Sequence, residues 1–422
     1  MARFDSLQEW LNWQESLHPQ KIDLGLERTG QVFRALHPNY VKPPTITVAG
    51  TNGKGSCVAI LESIYRTQGY RVGTYTSPHI LNYNERIKID GKFASDEQIC
   101  SAFERIESVR NNISLSYFEF GTLAALDIFA RSAIDVQLLE VGLGGRLDAV
   151  NIIDPDAAII TSICIDHADW LGDNREIIGR EKAGVFRADV PAIVGDPDPP
   201  ASLSECAVAK GSPLFCIGTD FGYRKRPFGW DWFGADRTFK GLPEPNLKGE
   251  HQYRNAASAI LAIVKMLDRL PVTTFSVTQG LKTVQLTGRF QLINGDIPVL
   301  LDVGHNPQAV KTLAEHLVTY FSGRCVHAVF SMMRDKDIRG VLEAMKPVVE
   351  DWYFAPLPEN PRSAPEALMR EMFALSSITA VSFGFADFNE AFKAARSNAK
   401  KGDLLLVFGS FFLVSEYLAG LQ

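Results

Sequence analysis

The segment Gly50-Thr51-Asn52-Gly53-Lys54-Gly55-Ser56 carries the most legible chemistry in the chain. Glycines let backbone N–H groups converge on phosphate oxygens, and a helix opening there adds the partial positive charge of its N-terminus. Lys54 can reach the β- and γ-phosphates of a nucleotide, and Ser56 can sit near its magnesium. The spacing is not the usual G-x₄-G-K-[ST], because Gly55 separates Lys54 from Ser56. A glycine-rich turn with a solvated lysine is the plain alternative. A strand before the segment and a helix after it favour the phosphate loop.

Other candidates sit just after apolar runs. Glu140 ends VQLLE, where a carboxylate across a sheet from a phosphate loop would serve nucleotide-bound magnesium; a surface strand-end Glu is the alternative. Gly142-Leu143-Gly144-Gly145-Arg146-Leu147-Asp148 fails as a dinucleotide fingerprint because Leu147 takes the last glycine position. It is a tight turn or a loop lining a site, with Arg146 or Asp148 facing substrate. Asp166-His167 follows AIITSI, and His167 is a structural group or a neutral imidazole on a second divalent ion. Arg180-Glu181-Lys182 on a helix reads first as a solvated face. Asp302-Val303-Gly304-His305-Asn306-Pro307 follows a strand and precedes a helix whose first position suits Pro307. Asp302 and His305 can reach a ligand there, whereas Asn306 alone reads as a cap. Asp335-Lys336-Asp337 and Gly409-Ser410 each have a capping explanation.

The elements that would position these residues alternate. Thr45–Ala49, Arg71–Tyr75, Val136–Glu140, Ala157–Ile163 and Pro191–Gly195 read as strands. Ser56–Gln68, Asp96–Arg110, Phe118–Arg131 and Glu176–Arg187 read as helices between them. Ser6 and Glu9 form a capping box ahead of an amphipathic helix over 6–17. Arg86–Ile89, Asp90-Gly91 and Lys92-Phe93 read as a hairpin with a two-residue turn. Residues 219–243, rich in aromatics and glycine, predict an antiparallel meander, and Glu250–Leu270 a long helix. A second α/β series follows a boundary near 286–297, with strands at Val299–Val303, Cys325–Phe330, Trp352–Ala355, Thr379–Ser382 and Leu404–Phe408. The pattern predicts two α/β domains in series, and ligands in such folds bind at the carboxyl ends of strands.

The 422 residues allow two or three domains with sizeable cores. Apolar residues make up 46% and charged residues 22%, which excludes disorder. The net charge of −6 argues against nucleic acid as the main partner. No apolar run is long enough for a membrane span, and the N-terminus lacks a signal-peptide core. Cysteines 57, 100, 164, 206, 216 and 325 form no paired spacing, so they read as reduced thiols of a cytoplasmic protein.

Several segments together resemble the folylpolyglutamate synthase/dihydrofolate synthase family of the Mur ligase superfamily. They are IDLGLER (22–28), TVAGTNGKGS (47–56), TSPH (76–79), YFEFGTLAAL (117–126), LEVGLGGRLDAVN (139–151), SICIDHADWLG (162–172), IGREKAGVFR (178–187), TGRFQ (287–291) and DVGHNP (302–307). Their order matches from residue 22 to near the C-terminus, most closely with the bifunctional bacterial members. The resemblance implies an α/β protein with an N-terminal P-loop ATPase-like domain and a smaller C-terminal Rossmann-like domain, placed at 1–288 and 289–422. The first would bind ATP and pteroate, and the second would be the glutamate ligase part.

It implies an ATP-dependent ligase adding L-glutamate to dihydropteroate and to reduced folates through an acyl phosphate. ATP contacts are implied at Thr51, Asn52, Gly53, Lys54, Asn255, Arg289 and Asp302. Two magnesium ions are implied at Ser77, Glu140 and His167. Pteroate contacts are implied at Asp23, Leu24, Ser116, Tyr117, Phe118, Glu119, Leu147, Asp148 and Ala149. Lys54, Lys182 and His305 are the candidate catalytic groups, with Lys182 carboxylated on Nζ as in Mur-type ligases. One departure is that Phe411 and Phe412 follow Ser410, where related enzymes often carry a His soon after the Gly-Ser. The rival readings are an enzyme limited to polyglutamate extension, a Mur-type peptidoglycan precursor ligase, and a nucleotide-driven switch. The partners expected are small molecules only, bound by a monomer.

Overall fold

A computed structural model describes residues 3–20, 22–234 and 237–421. The chain divides into two compact units. The N-terminal unit comprises residues 1–246 and 252–285, and the C-terminal unit residues 247–251 and 286–422.

The N-terminal unit is built on an eight-stranded sheet of β1 (Thr45–Ala49), β2 (Val72–Tyr75), β3 (Ile87–Ile89), β4 (Lys92–Phe93), β5 (Val136–Glu140), β6 (Ala157–Ile160), β7 (Ala192–Val194) and β8 (Leu214–Cys216). The spatial order is β4-β3-β2-β5-β1-β6-β7-β8, and every strand from β2 to β8 in that list pairs in parallel. TITVA is buried at all five positions, as a strand with both faces covered must be. β3 and β4 form the hairpin, and both turn residues have positive φ, Asp90 at 51° and Gly91 at 71°, as its tight turn requires. The helix Leu7–Leu17 begins with the capping box Ser6/Glu9 and buries Trp10 against Phe103 and Phe120. Removing such a ring would cost about 3–5 kcal/mol. The aromatic segment forms the meander β9 (Phe221–Lys225), β10 (Trp230–Gly234) and β11 (Arg237–Leu242); its Ala235 and Asp236 lie outside the described residues.

Three expected elements end early. β6 stops at Ile160 rather than Ile163, because the backbone of Ser162 leaves the ladder to accept the N–H of Thr51 at 2.7 Å. The helix expected to run to Arg187 ends at Lys182 and tightens into a 3₁₀ turn over Ala183–Val185. There the backbone of Gly184 lies against Arg146, and a Cβ would fall 2.2 Å from the Arg146 Cα. The long helix is His251–Lys265, five residues shorter at its end than the apolar pattern implied.

The C-terminal unit has a six-stranded sheet of β12 (Gln291–Ile293), β13 (Val299–Asp302), β14 (Val326–Phe330), β15 (Asp351–Phe354), β16 (Val381–Ser382) and β17 (Leu404–Phe408). Its order is β12-β13-β17-β14-β15-β16, parallel except for the β12 edge. Its own core gathers Leu300, Leu313, Phe330, Leu342, Trp352 and Phe408.

Candidate active site

In the N-terminal unit, the segments after β1, β5 and β6 converge at one edge of the sheet. The loop 50–56 runs from β1 into the helix Lys54–Gln68, with Gly53 at its start in a left-handed conformation (φ 91°). A Cβ on Gly50 would meet Thr161 Oγ1 at 1.9 Å, and one on Gly53 would meet Asn255 Oδ1 at 2.6 Å. Only glycine fits between these walls. The loop is also tied to the strand that follows: the Asn52 N–H donates to Ser162 Oγ (3.1 Å), and Thr161 Oγ1 donates to the Asn52 carbonyl (2.7 Å). Asn255 donates to Gln252 Oε1 (3.0 Å), and Gln252 donates to Ser56 Oγ (3.3 Å), so the helix carrying Asn255 braces the far side of the loop.

Two lysines share one acceptor. Lys54 Nζ donates to the carbonyls of Gly50 (3.1 Å) and Thr51 (3.2 Å), and Lys182 Nζ donates to the same Gly50 carbonyl (3.0 Å). Lys182 is buried; desolvation first, and then the charge of Lys54, pull its pKa down to about 7. The plain expectation of a solvated face therefore fails for Lys182 and holds for Arg180, which pairs at the surface with Glu205. Glycines seat the lysine's helix. The Arg146 N–H donates to the Glu181 carbonyl (2.9 Å), and a Cβ on Gly145 would sit 2.9 Å from the Lys182 carbonyl oxygen.

Glu140 ends β5 almost fully buried, and Ser77 follows its neighbour β2; the Ser77 N–H lies 3.3 Å from Glu140 Oε2. His167 opens the short helix Ala168–Leu171 with φ 54°, and its N–H donates to Asp166 Oδ1 (2.8 Å). A carboxylate beside a hydroxyl-bearing residue, with an imidazole from the same sheet edge, is a donor set that fits a hard divalent ion. Asp148 turns inward: its oxygens accept the N–H groups of Leu143 (2.8 Å) and Val150 (3.1 Å). Burial pushes its pKa up to about 6, against those two hydrogen bonds. It organises the loop whose flanking Leu147 is half-buried and Ala149 buried.

Of the residues implied for pteroate, Asp23, Ser116 and Glu119 meet in a second cluster. Ser116 caps the helix Tyr117–Arg131 in a capping box with Glu119. Buried Glu119 then accepts from Arg28 Nε (2.9 Å) and Thr29 Oγ1 (2.7 Å). Arg28 also pairs with Asp23, which receives His18 Nε2 at 3.0 Å. Burial would raise the Asp23 carboxyl, but Arg28 and then His18 hold it below its ordinary value. Arg28 is the functional candidate that sequence reasoning passed over. It lines a groove of about 270 Å³ with Gly25, Glu27 and Gln31, next to half-buried Leu24. Phe118 packs on Tyr75 (centroids 5.8 Å) and under Gly142, and Tyr117 packs on Tyr83 (5.7 Å).

In the C-terminal unit, Asp302 ends β13 buried and accepts from the Gly304 (2.7 Å) and Phe290 (3.1 Å) N–H groups. Burial raises its pKa, against the opposing charge of Arg289. Phe290 has φ 43°, and its ring stacks on His316 at 4.3 Å, which fixes the chain direction next to Arg289. The Arg289 guanidinium lies 5.2 Å from the Phe411 ring centroid, and the His305 ring 6.1 Å from it. His305 Nδ1 is 2.9 Å from the Val303 carbonyl. Asn306, Asp337 and Ser410 are helix N-caps, and Asp335 pairs with Arg362 at 2.8 Å.

The Mur ligase middle domain matches residues 48–194, and the Mur ligase, glutamate ligase domain matches residues 288–411. The dihydrofolate synthase/folylpolyglutamate synthase of Escherichia coli (strain K12) is 42% identical over 98% of this chain and 94% of its own length. A solved structure of E. coli FolC in complex with DHPP and ADP superposes with a TM-score of 0.93 at 42% identity, covering 99% of this chain and 98% of that one. A bifunctional folylpolyglutamate synthase/dihydrofolate synthase with Mn, AMPPNP and L-glutamate bound gives a TM-score of 0.91 at 42% identity, covering 99% of this chain and 98% of that one.

Proposed function

The chain belongs to the dihydrofolate synthase/folylpolyglutamate synthase family of Mur ligases, and we propose from that premise how its own residues divide the work. It is an ATP-dependent ligase that adds L-glutamate to 7,8-dihydropteroate and to reduced folates. The substrate carboxylate attacks the γ-phosphorus of ATP, ADP leaves, and an acyl phosphate forms. The glutamate amine attacks the acyl carbon, loses a proton, and inorganic phosphate leaves as the amide forms.

The observation that carries the assignment is the pair of lysine Nζ atoms on the Gly50 carbonyl. A neutral carbonyl is a weak partner for the Lys54 ammonium, so Lys54 exchanges it for the β- and γ-phosphate oxygens at little cost and stabilises charge as the phosphoryl group moves. Thr51, Asn52, Gly53 and Asn255 shape the loop, and Arg289 and Asp302 are the nucleotide contacts assigned to the C-terminal unit. Lys182 has a different part. At a pKa of about 7 it offers a neutral amine near neutral pH. That amine adds CO₂ and releases a proton, which leaves a carbamate with two hard oxygens in place of a repelling ammonium. Ser77, Glu140, His167 and the Lys182 carbamate would hold two divalent ions. When bound, such ions neutralise charge on the transferring phosphoryl group.

Asp23, Leu24, Ser116–Glu119 and Leu147–Ala149 are assigned to the pteroate, with Arg28 added to them. His305 is assigned the amine proton. A proton on Nδ1, toward the Val303 carbonyl, leaves the lone pair on Nε2. We divide the chain into an ATP- and pteroate-binding part at 1–288 and a glutamate ligase part at 289–422. We assign the enzyme to the cytoplasm, in keeping with six free cysteines, and to a monomeric state.

The test is ADP release with Mg²⁺, ATP and glutamate, offering dihydropteroate and tetrahydrofolate in turn. Release with each acceptor is the expected result. Release with tetrahydrofolate alone leaves only the polyglutamate activity, and release without any acceptor is the behaviour of a switch.

A further inference from the structure

At the opposite edge of the C-terminal sheet from Asp302, where the parallel strands begin, four donor side chains meet. The Leu404 N–H donates to the Cys325 carbonyl (2.9 Å), which sets Cys325 beside Asp403 at the starts of β14 and β17. His327 is paired with Asp351 across β14 and β15. Paired residues in a parallel sheet, and residues two apart on one strand, share a face. The register therefore brings Cys325, His327, Asp351 and Asp403 to the same side.

One donor atom from each of Cys325, His327 and Asp403 lies within 4.8 Å of the others. His327 Nε2 is 3.1 Å from Asp403 Oδ2, and Nδ1 is 3.1 Å from Asp351 Oδ2. The imidazole is buried, whereas Cys325 and Asp403 are half-buried and open to entry of an ion. The surroundings are negative: after burial itself, Glu350, Asp403 and Asp351 push the Cys325 thiol above its ordinary pKa.

We propose that Cys325, His327 and Asp403 bind one transition-metal ion of the zinc class, with Asp351 as the outer partner of the imidazole. The Nε2–Oδ2 separation of 3.1 Å is close to the edge of about 3.3 Å that a tetrahedral zinc site sets between nitrogen and oxygen ligands. The thiol must close to about 3.5 Å of both, within reach of a half-buried side chain turning about χ1. Ligating imidazoles commonly give their second N–H to a carboxylate. Loading Nε2 puts the ring proton on Nδ1, a buried nitrogen with no hydrogen bond of its own; Asp351 Oδ2, 3.1 Å away, would turn to accept it. The Lys400 N–H, 2.7 Å from Asp403 Oδ2, orients that carboxylate from behind. Sulfur, nitrogen and oxygen donors together select against magnesium and calcium, so this ion differs in kind from those of the nucleotide edge. On binding, the thiol S–H bond breaks, a sulfur–metal bond forms, and the proton goes to solvent. Affinity therefore rises with pH.

The probe is Co²⁺ titrated into the full chain held in excess Mg²⁺, followed by thiolate-to-cobalt charge-transfer absorption. The band is expected to saturate at one ion per chain and to be competed away by Zn²⁺. Cys325→Ser removes it while ADP release persists, and Asp403→Asn weakens it. Asp351→Asn lowers affinity about 10- to 100-fold. Zn²⁺ raises the thermal midpoint of the wild type and not of Cys325→Ser. A wild type without the band, or a band that survives in Cys325→Ser, overturns the site.

Discussion

The phosphate-loop edge and the pteroate-side cluster belong to one unit and follow opposite electrostatic plans. At the first, two lysines rest on one backbone carbonyl, and one of them is buried with a depressed pKa. At the second, Asp23, Arg28 and Glu119 form a chain of matched charges, finished by His18 and Thr29. Lys54 holds positive charge that a phosphate can claim. On the second, Arg28 is clamped between two carboxylates, so the cluster gives shape and direction to its groove. Charge kept loosely partnered suits a group whose charge changes during reaction, and charge kept paired suits a surface that must stay fixed.

The contrast is broken most severely at Lys54. Lys54→Ala should lose about 10³-fold or more in turnover, measured as ADP release, because no backbone dipole replaces a mobile cation at the γ-phosphoryl group. Wild-type rates in a folded variant would remove the phosphate-loop assignment. Lys182→Ala comes next, and it should regain part of its lost activity when short carboxylates are added. The pH dependence has a definite sign. From about pH 7 upward the folded chain has released the Lys182 proton, while the unfolded chain keeps it up to the ordinary lysine value of 10.5. The Lys182 contribution to stability is therefore poorest below pH 7 and climbs with pH above it. Denaturant midpoints against pH should show that climb in the wild type and not in Lys182→Met.

The paired cluster should respond more gently. Asp23→Ala should cost about 1–3 kcal/mol in kcat/KM for dihydropteroate and less for tetrahydrofolate, since the change leaves Arg28 with the Glu119 carboxylate alone and takes the acceptor from His18 Nε2 beside the groove assigned to pteroate. Equal losses for both acceptors would merge the two binding modes. Phe411→Leu should be mildest. Losing a ring 5.2 Å from the Arg289 guanidinium is worth about 0.5–1 kcal/mol, read as a few-fold rise in KM for ATP with kcat held.

Much of this layout is legible in the residues. Glycines at 50 and 53, after TITVA and before a helical pattern, define the loop, and the Asp90-Gly91 turn defines the hairpin. Local chemistry dominates there, so spacing is enough. Arg28 was hidden because a lone arginine on a helix reads as solvated, and its partner Glu119 is 91 residues away. The clue within reach was Ser116-x-x-Glu119, a capping box whose Glu was bound to be held inward. The end of β6 was illegible for a similar reason. Thr161, Ser162 and Ile163 suit a strand, and only the neighbouring loop reveals that Ser162 has another partner. Likewise, spacing alone makes Lys182 solvated beside two charges and only the family resemblance singles it out; the carbonyl of Gly50 that holds it is 132 residues away.

Gly184 has the last consequence. The gap between its helix end and the loop at Arg146 has no clearance: an added methyl would sit 2.2 Å from a backbone carbon. Prying the two apart by an ångström would carry Lys182, two positions upstream, along with them. Misplacement on that scale costs a reaction about 10²-fold. The manufacturing tolerance of the phosphate-transfer machinery is thus set at a residue that has no side chain and takes no part in the chemistry.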